Sequence, residues 1–344
     1  MDVLSDVLQA VRLKGALYFD VRTCEPVVAE TPAMADIGSM VLPDAEHVIS
    51  FHIMLSGECW VETMESGNPP VRLEEGDIII FPHGHPHAFV THLGERNPPD
   101  FQLYATAHGG PLPLMLDLQE AGPKPMRFVC GYFGCCATPY NPLLQALPAQ
   151  ILAKRPEEGN HMEVDLIQAA VEEAGSTRAG GTTILSRLSE LLFVRVIRRY
   201  IEQLPDHSRG WLAGLRDPNI RKALERIHAD PACEWTLEEL GRQCGLSRAV
   251  FAERFANQVG ETPIRYLAKW RMQIAAGLLE QPGVPIEAIA EQVGYKSEAA
   301  FNRAFKNIVG LPPGAWRRGQ RATPDGASAD LQSAPDDWLS CAAI

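Results

Sequence analysis

Two parts of this chain carry residue types whose spacing could do chemistry. In the second half, Trp235 to Phe255 and Val284 to Phe305 resemble one another. Each runs as a short amphipathic stretch to a glycine, Gly245 or Gly294, which can take the left-handed conformation that closes a helix. A serine follows, Ser247 or Ser297, placed to cap the next helix. That helix has aromatics four apart, Phe251 and Phe255 or Phe301 and Phe305. They share one face and dock it, leaving the other face free for a groove. This is a helix-turn-helix layout, with the second helix as the reader. One unit is a weak signal. Two in tandem, joined by a helical stretch from Pro263 to Leu279, are a strong one. The first half offers imidazoles and thiols instead: His52, His83, His85, His87, Cys130, Cys135 and Cys136. Such groups ligate metals or respond to oxidants.

Length and pattern indicate the elements that must position these groups. The 344 residues suggest two or three domains. Hydrophobic residues at 46% and charged residues at 22% exclude a disordered chain, a collagen and a coiled-coil rod. No apolar run reaches the ~18 residues of a membrane span. The stretch Met1 to Asp6 is acidic and unlike a signal peptide. The expectation is a cytoplasmic protein with no membrane partner. Eight cysteines are too few for a disulfide scaffold. Cys59, Cys233 and Cys244 read as core residues.

The net charge of -12 is spread unevenly. Residues 1–216 carry -11, residues 217–318 carry +2, and residues 319–344 carry -3. Total charge is therefore a poor guide to partners, because binding depends on one face of one domain. The acidic first half should repel DNA, and any DNA reader belongs in 217–318.

Residues 1–15 read as a short helix and 16–110 as strands. Val48 to Leu55, Cys59 to Glu62, Val71 to Leu73 and Ile78 to Phe81 are separated by Gly and Pro turns. Phe101 to Tyr104 and Met126 to Gly131 add further short apolar runs. Many short strands at regular spacing imply a sandwich or barrel. Near Asn141 the period changes, and 160–175 and 181–204 read as long amphipathic helices. The second carries Ile184, Leu185, Leu188, Leu191, Leu192, Val196 and Ile197, a wide stripe expected to help form a homodimer. Everything from Pro218 to Trp316 reads as helix, and the tail from Gln320 as disordered. The expected division is an effector or sensor domain over 1–145, a helical dimerisation region over 146–216, a DNA-binding domain over 217–318 and a tail over 319–344.

The segment 218–317 resembles the AraC/XylS family of bacterial transcription regulators. The likeness rests on Gly260 to Leu267, Trp270 to Met272, Ile289-Ala290, Val293 to Tyr295, Phe301 to Lys306 and Gly310 to Arg317. The resemblance implies two reader helices in successive major grooves, with base-facing positions near their N-termini. In the first reader these are Arg248, Ala249, Ala252 and Glu253. In the second they are Glu298, Ala299, Asn302 and Arg303. Arg can bridge guanine, Asn pairs with adenine, and Glu accepts from cytosine. Arg254, Lys269, Lys296 and Lys306 are expected on phosphates or solvated faces.

Gly76, Pro82, Gly84 and His87 have the spacing of the second cupin motif, in which the final His is a metal ligand. The first cupin motif is not intact. Ser50 stands where its Glu would be, and His52 follows on the same strand face. Cys130 to Cys136, Asn141 to Pro148 and Gly181 to Phe193 resemble the subgroup of these regulators with a cupin-type N-terminus. The implied fold class is α+β: a cupin-like β-barrel, central amphipathic helices and an all-α domain with two helix-turn-helix units. His52, His87, Cys130 and Cys135 are the candidate ligands of a structural zinc. Cys135 and Cys136 are the redox candidates. The expected function is sequence-specific binding of double-stranded promoter DNA under control of a small effector or an oxidant. RNA polymerase is an expected partner, and the resemblance implies activation. The alternative is a cupin-type metal-dependent enzyme fused to a DNA-binding module.

Overall fold

The computed structural model describes residues 2–14, 18–64, 67–107, 114–118, 122–155, 162–174 and 178–321. The first part of the chain runs α1 (Val3–Ala10), β1 (Tyr18–Cys24), β2 (Val28–Thr31), α2 (Met34–Val41), β3 (His47–Ser56), β4 (Glu58–Thr63), β5 (Val71–Glu74), β6 (Ile78–Phe81), β7 (His87–Val90), α3 (Phe101–Ala107), β8 (Leu114–Asp117), β9 (Pro125–Cys135), α4 (Pro142–Ala146) and β10 (Ile151–Ala153). The strands form one sheet in the order β10-β6-β3-β9-β1-β8 and a second in the order β2-β7-β4-β5. All described pairings are antiparallel except β1 with β8. The described strands do not pair across the two sheets, so the cupin-like half is an open sandwich and not a closed barrel.

Strand alternation explains the layering. In β3, Ile49, Phe51 and Ile53 face one side, and Ser50, His52 and Met54 face the other. All six are buried, because the larger sheet is covered on both faces. Between the sheets lie Phe19, Met54, Val61, Leu73, Phe81, Phe89 and Phe128. On the outer face, Phe51 stacks on Phe133 with centroids 4.6 Å apart. Gly131 makes room for this: a Cβ there would sit 2.2 Å from the Phe51 ring.

The strand-only expectation for 16–110 missed α2 and α3. In α2, Met34, Ile37, Gly38 and Val41 are buried at helical spacing, a period of 3.6 within a strand-rich region.

The rest of the chain is helical: α5 (Met162–Ala174), α6 (Gly181–Gln203), α7 (Trp211–Arg216), α8 (Pro218–Ala229), α9 (Leu237–Gln243), α10 (Arg248–Val259), α11 (Pro263–Leu279), α12 (Ile286–Gln292), α13 (Glu298–Val309) and α14 (Pro313–Arg321). Residues 319–321 of the expected tail end α14, and 322–344 lie outside the described residues. None of the described helices is long and apolar enough to cross a membrane.

One apolar core joins the two halves. It runs from the outer face of the larger sheet through α1, α4 and α6 into α7, α8 and α10. Phe133, Phe193, Trp211, Leu224, Phe255 and Trp270 belong to it. A second, smaller core holds α12 and α13 against α11 through Met272, Leu279, Ile289, Val293, Phe301 and Phe305.

Candidate functional site

The two reader helices, α10 and α13, are built alike. Ser247 Oγ accepts from the Val250 N–H at 3.4 Å, and Ser297 Oγ from the Ala300 N–H at 3.3 Å. These caps satisfy first-turn donors that the helix itself cannot. Both readers end at a left-handed glycine, Gly260 or Gly310. The turn before each reader uses Gly245 (φ 71°) or Gly294 (φ 82°). A Cβ at Gly294 would also fall 2.4 Å from the Ala232 carbonyl, so this turn excludes every side chain.

Docking the four phenylalanines fixes which residues face out. Phe251, Phe255, Phe301 and Phe305 are fully buried. Arg248, Ala249, Glu253, Glu298, Ala299, Arg303 and Lys306 are exposed, and Ala252 and Asn302 are half-buried. Asn302 Nδ2 donates to Glu298 Oε1 at 3.4 Å. Val250, 49% exposed on the first reader, was missed by the sequence reading. The signal was its place one residue before the docked Phe251. An apolar side chain there suits a thymine methyl.

The cations divide into free and engaged. Arg248, Arg303 and Lys306 have no ion-pair partner among the described residues. Arg254 Nε donates to Asp217 Oδ2 at 2.8 Å, and Asp217 also caps α8. Arg254 is therefore a strut between α10 and α8 and leaves the set of free cations. Lys296 sits 2.6 Å from Glu234, both well exposed. Lys269 lies 2.8 Å from Glu261.

A second site lies in the sandwich. Cys130 Sγ is 2.9 Å from His52 Nδ1, and His52 Nε2 is 2.7 Å from His87 Nε2. His87 Nδ1 is 2.8 Å from the His85 carbonyl, to which it can only donate. With neutral rings this fixes the whole chain. His87 Nε2 accepts from His52 Nε2–H, and His52 Nδ1 accepts from the Cys130 thiol. Burial pushes the His52 imidazole well below its ordinary range and the His87 imidazole down to about 4. Burial also pushes the Cys130 thiol up. All three groups are neutral at pH 7.

His52 and Cys130 line a cavity of about 70 Å3. Its apolar wall includes Phe19, Val21, Phe89, Leu116 and Phe128. Its polar lining is completed by Thr31, Tyr104, Tyr132 and Glu30.

Comparison with known proteins gives both halves a family. Residues 2–202 match a model described as Cupin, and residues 240–319 one described as Helix-turn-helix domain. A protein of Streptomyces antibioticus named as an AraC-like transcription regulator is 31% identical over 321 residues, covering 92% of this chain and 99% of its own length. The HTH-type transcriptional regulator AlkR of Acinetobacter baylyi is 30% identical over 321 residues, with the same coverage. The chain belongs to the AraC family of transcription regulators. It is a DNA-binding member with a cupin N-terminal domain.

Within this AraC-type regulator, the structure brings His52, His87 and Cys130 together but not Cys135. Cys130 and Cys135 are five residues apart on β9, an odd offset that puts them on opposite faces. Cys135 belongs to the outer core, with Phe133 and Val11. The expected four-ligand zinc set is corrected on that ground. The remaining three donors do not fit a metal either. They form a chain in which both His52 nitrogens are already engaged, pointing in opposite directions. Among the described residues, no group of three or more His, Cys, Asp or Glu converges to hold a metal. The redox candidates are poorly activated. Burial pushes the Cys135 thiol up to about 12 and raises that of Cys136, and it is the thiolate that reacts.

Proposed function

We propose that this AraC-type regulator is an effector-controlled activator of transcription. A small molecule in the sandwich cavity shifts the population between arrangements that differ in how the reader helices engage promoter DNA and RNA polymerase. The observation that carries this reading is the unbroken core between the larger sheet and the first reader. Polar contacts reinforce it. Tyr140, just before α4, donates its hydroxyl to Glu261 and its N–H to Gln273 Oε1, each at 3.0 Å. Gln273 Nε2 donates in turn to the Ala10 carbonyl at 3.3 Å. A change of packing around the cavity thus has a stiff path to α10 and α11.

The trigger is a ligand in this reading and not an oxidant, because Cys135 and Cys136 are held as thiols. The protein acts as a homodimer through α6, where Ile184 and Leu191 are each 44% exposed one heptad apart. It works in the compartment that holds the chromosome and is not an enzyme.

The test uses the full chain on its own promoter in a reporter assay and in gel shifts. Leu191→Glu should turn a dimer into a monomer by sedimentation and reduce occupancy of paired half-sites. Tyr140→Phe should retain operator binding while reducing effector-dependent transcription. A reporter that falls when the protein is supplied would overturn activation. A Leu191→Glu protein that stays dimeric would move the interface away from α6.

A further inference from the structure

The chemistry lining the sandwich cavity goes further than marking a pocket, because it restricts what the pocket can hold. Among the described residues, no lysine or arginine lines it. The charged group among its described lining residues is Glu30, whose side chain is 13% exposed. Arg96 lies 3.9 Å from Glu30 but also pairs with Glu62, so one cation serves two carboxylates. An anionic ligand would meet the Glu30 carboxylate and find no counter-charge among the described lining residues. Burying an unpaired carboxylate or phosphate is strongly unfavourable.

Strongly polar neutral molecules fare little better. The inner hydroxyls are Thr31, Tyr104 and Tyr132, and Tyr104 already hydrogen-bonds both of the others. The Cys130 thiol is spent on His52, and the His52 nitrogens are both engaged. A polyol would leave most of its hydroxyls unpaired against phenylalanine and leucine. What the walls offer is aromatic and aliphatic surface from Phe19, Val21, Phe89, Leu116 and Phe128. The volume of about 70 Å3 is that of roughly two or three waters and about half that of a cavity that holds benzene, so a single small ring is the upper limit and enters only if the walls give slightly.

We infer that the cavity takes a small, uncharged, predominantly apolar ring compound carrying at most one hydrogen-bonding group. The ring packs on the phenylalanine walls. One hydroxyl or carbonyl meets the Tyr104–Tyr132–Thr31 hydroxyls. The Cys130–His52–His87 chain keeps this wall neutral and its hydrogen bonds satisfied without a ligand, so an apolar occupant leaves no polar group of that chain unpaired. The inference deepens the effector reading above and rests on it for its regulatory meaning.

The experiment is calorimetric titration of the full-length protein at pH 7 with phenol, indole, benzoate and glucose. Gel shifts on the operator run with the same four probes. Phenol or indole should bind with a dissociation constant below about 1 mM, and benzoate and glucose at least tenfold more weakly. Ala29→Phe places a ring in the cavity from its β2 wall. It should weaken phenol binding at least tenfold while keeping the wild-type circular dichroism and ligand-free operator binding. Should Ala29→Phe fail to fold, Leu116→Trp fills the cavity from the opposite wall. Benzoate or glucose binding as tightly as phenol overturns the ligand class, as does no binding of phenol or indole up to 10 mM. Phenol binding that leaves operator affinity unchanged overturns the effector reading and leaves the ligand class standing. A benzoate-only effect on the operator does the reverse.

Discussion

The two helix-turn-helix units share a layout and differ in what stands behind them. The first packs Phe251 and Phe255 into the core that continues through Trp211 and Phe193 to the larger sheet. The second packs Phe301 and Phe305 into a small core of its own with α11 and α12. The polar ties to the cupin half, from Tyr140, Ala10 and Arg12, land on Glu261, Gln273 and Glu280. All three lie on α11 or at its ends, and none on α12 or α13. A repeated sequence has thus produced one reader built onto the cupin domain and one hung from it by a helix. On the effector-controlled reading proposed above, the first unit would receive the signal and the second would contribute base choice. The free cations differ in number: the second reader presents Arg303 and Lys306, whereas the first presents Arg248 and has Arg254 tied to Asp217.

The sharpest way to break this contrast is to empty the two cores separately. Phe255→Ala and Phe305→Ala should each cost about 3–5 kcal/mol. In hydrogen exchange, Phe255→Ala should lower protection in β3, β9 and α6 as well as α10. Phe305→Ala should lower it in α12 and α13 alone. Loss of sheet protection in Phe305→Ala would show that the second unit is not separate.

Acid should divide the units in the same way. Burial holds the His87 imidazole down to about 4 and that of His228 to about 3, and lowers His52 as well. Each group binds its proton in the unfolded chain near 6.5 before it does so in the fold. Stability is therefore complete above pH 6.5 and falls as pH drops toward 4, by roughly 3 kcal/mol for His87 alone. The second unit, from Val284 to Arg321, contains no histidine. Its exchange protection should hold through this window while that of the sheets and α8 declines. Equal losses in both would contradict the assignment.

A smaller effect concerns the reading itself. Arg303→Ala should weaken binding to the specific site by ~1–3 kcal/mol and relax the preference at one base pair. Arg254→Ala should instead lower thermal stability, and affinity on specific and random DNA alike. If Arg303→Ala acts equally on both DNAs, the second reader does not carry base choice. The smallest effect on DNA affinity belongs to Tyr140→Phe, which removes one hydrogen bond to a carboxylate, worth about 1.5–3 kcal/mol of stability. It should leave operator affinity within twofold and reduce the linkage between cavity occupancy and DNA binding. Unchanged linkage, measured as effector-dependent operator affinity, would place the coupling elsewhere.

Much of the DNA-binding half was legible because its signals are local. Ser247 and Ser297 cap helices within three residues, and Gly245 and Gly294 close turns within their own segment. Four-residue spacing of phenylalanines alone decides which face of α10 and α13 docks. The sandwich was legible in outline from its short strands and turns. It was misread in detail where a helical period was embedded among strands, as at Met34 to Val41. The grouping of His52 with His87 followed from strand alternation. The same alternation, applied to Cys130 and Cys135, would have separated them. Arg254 was misjudged because its partner Asp217 is 37 residues away on another helix.

The sequence by itself determined the family, the tandem units and the uneven charge, and it set the expectation of which residues face DNA. Each depends on composition or on spacing within a few turns of chain. Tertiary structure alone decided that Cys130, His52 and His87 form a neutral hydrogen-bonded chain. Their order depends on which nitrogen faces which partner across β3, β7 and β9. It also decided that one reader shares its core with the cupin domain and the other does not. Two amphipathic helices with the same spacing of phenylalanines have the same local pattern, and only the third dimension determines what each buries its apolar face against.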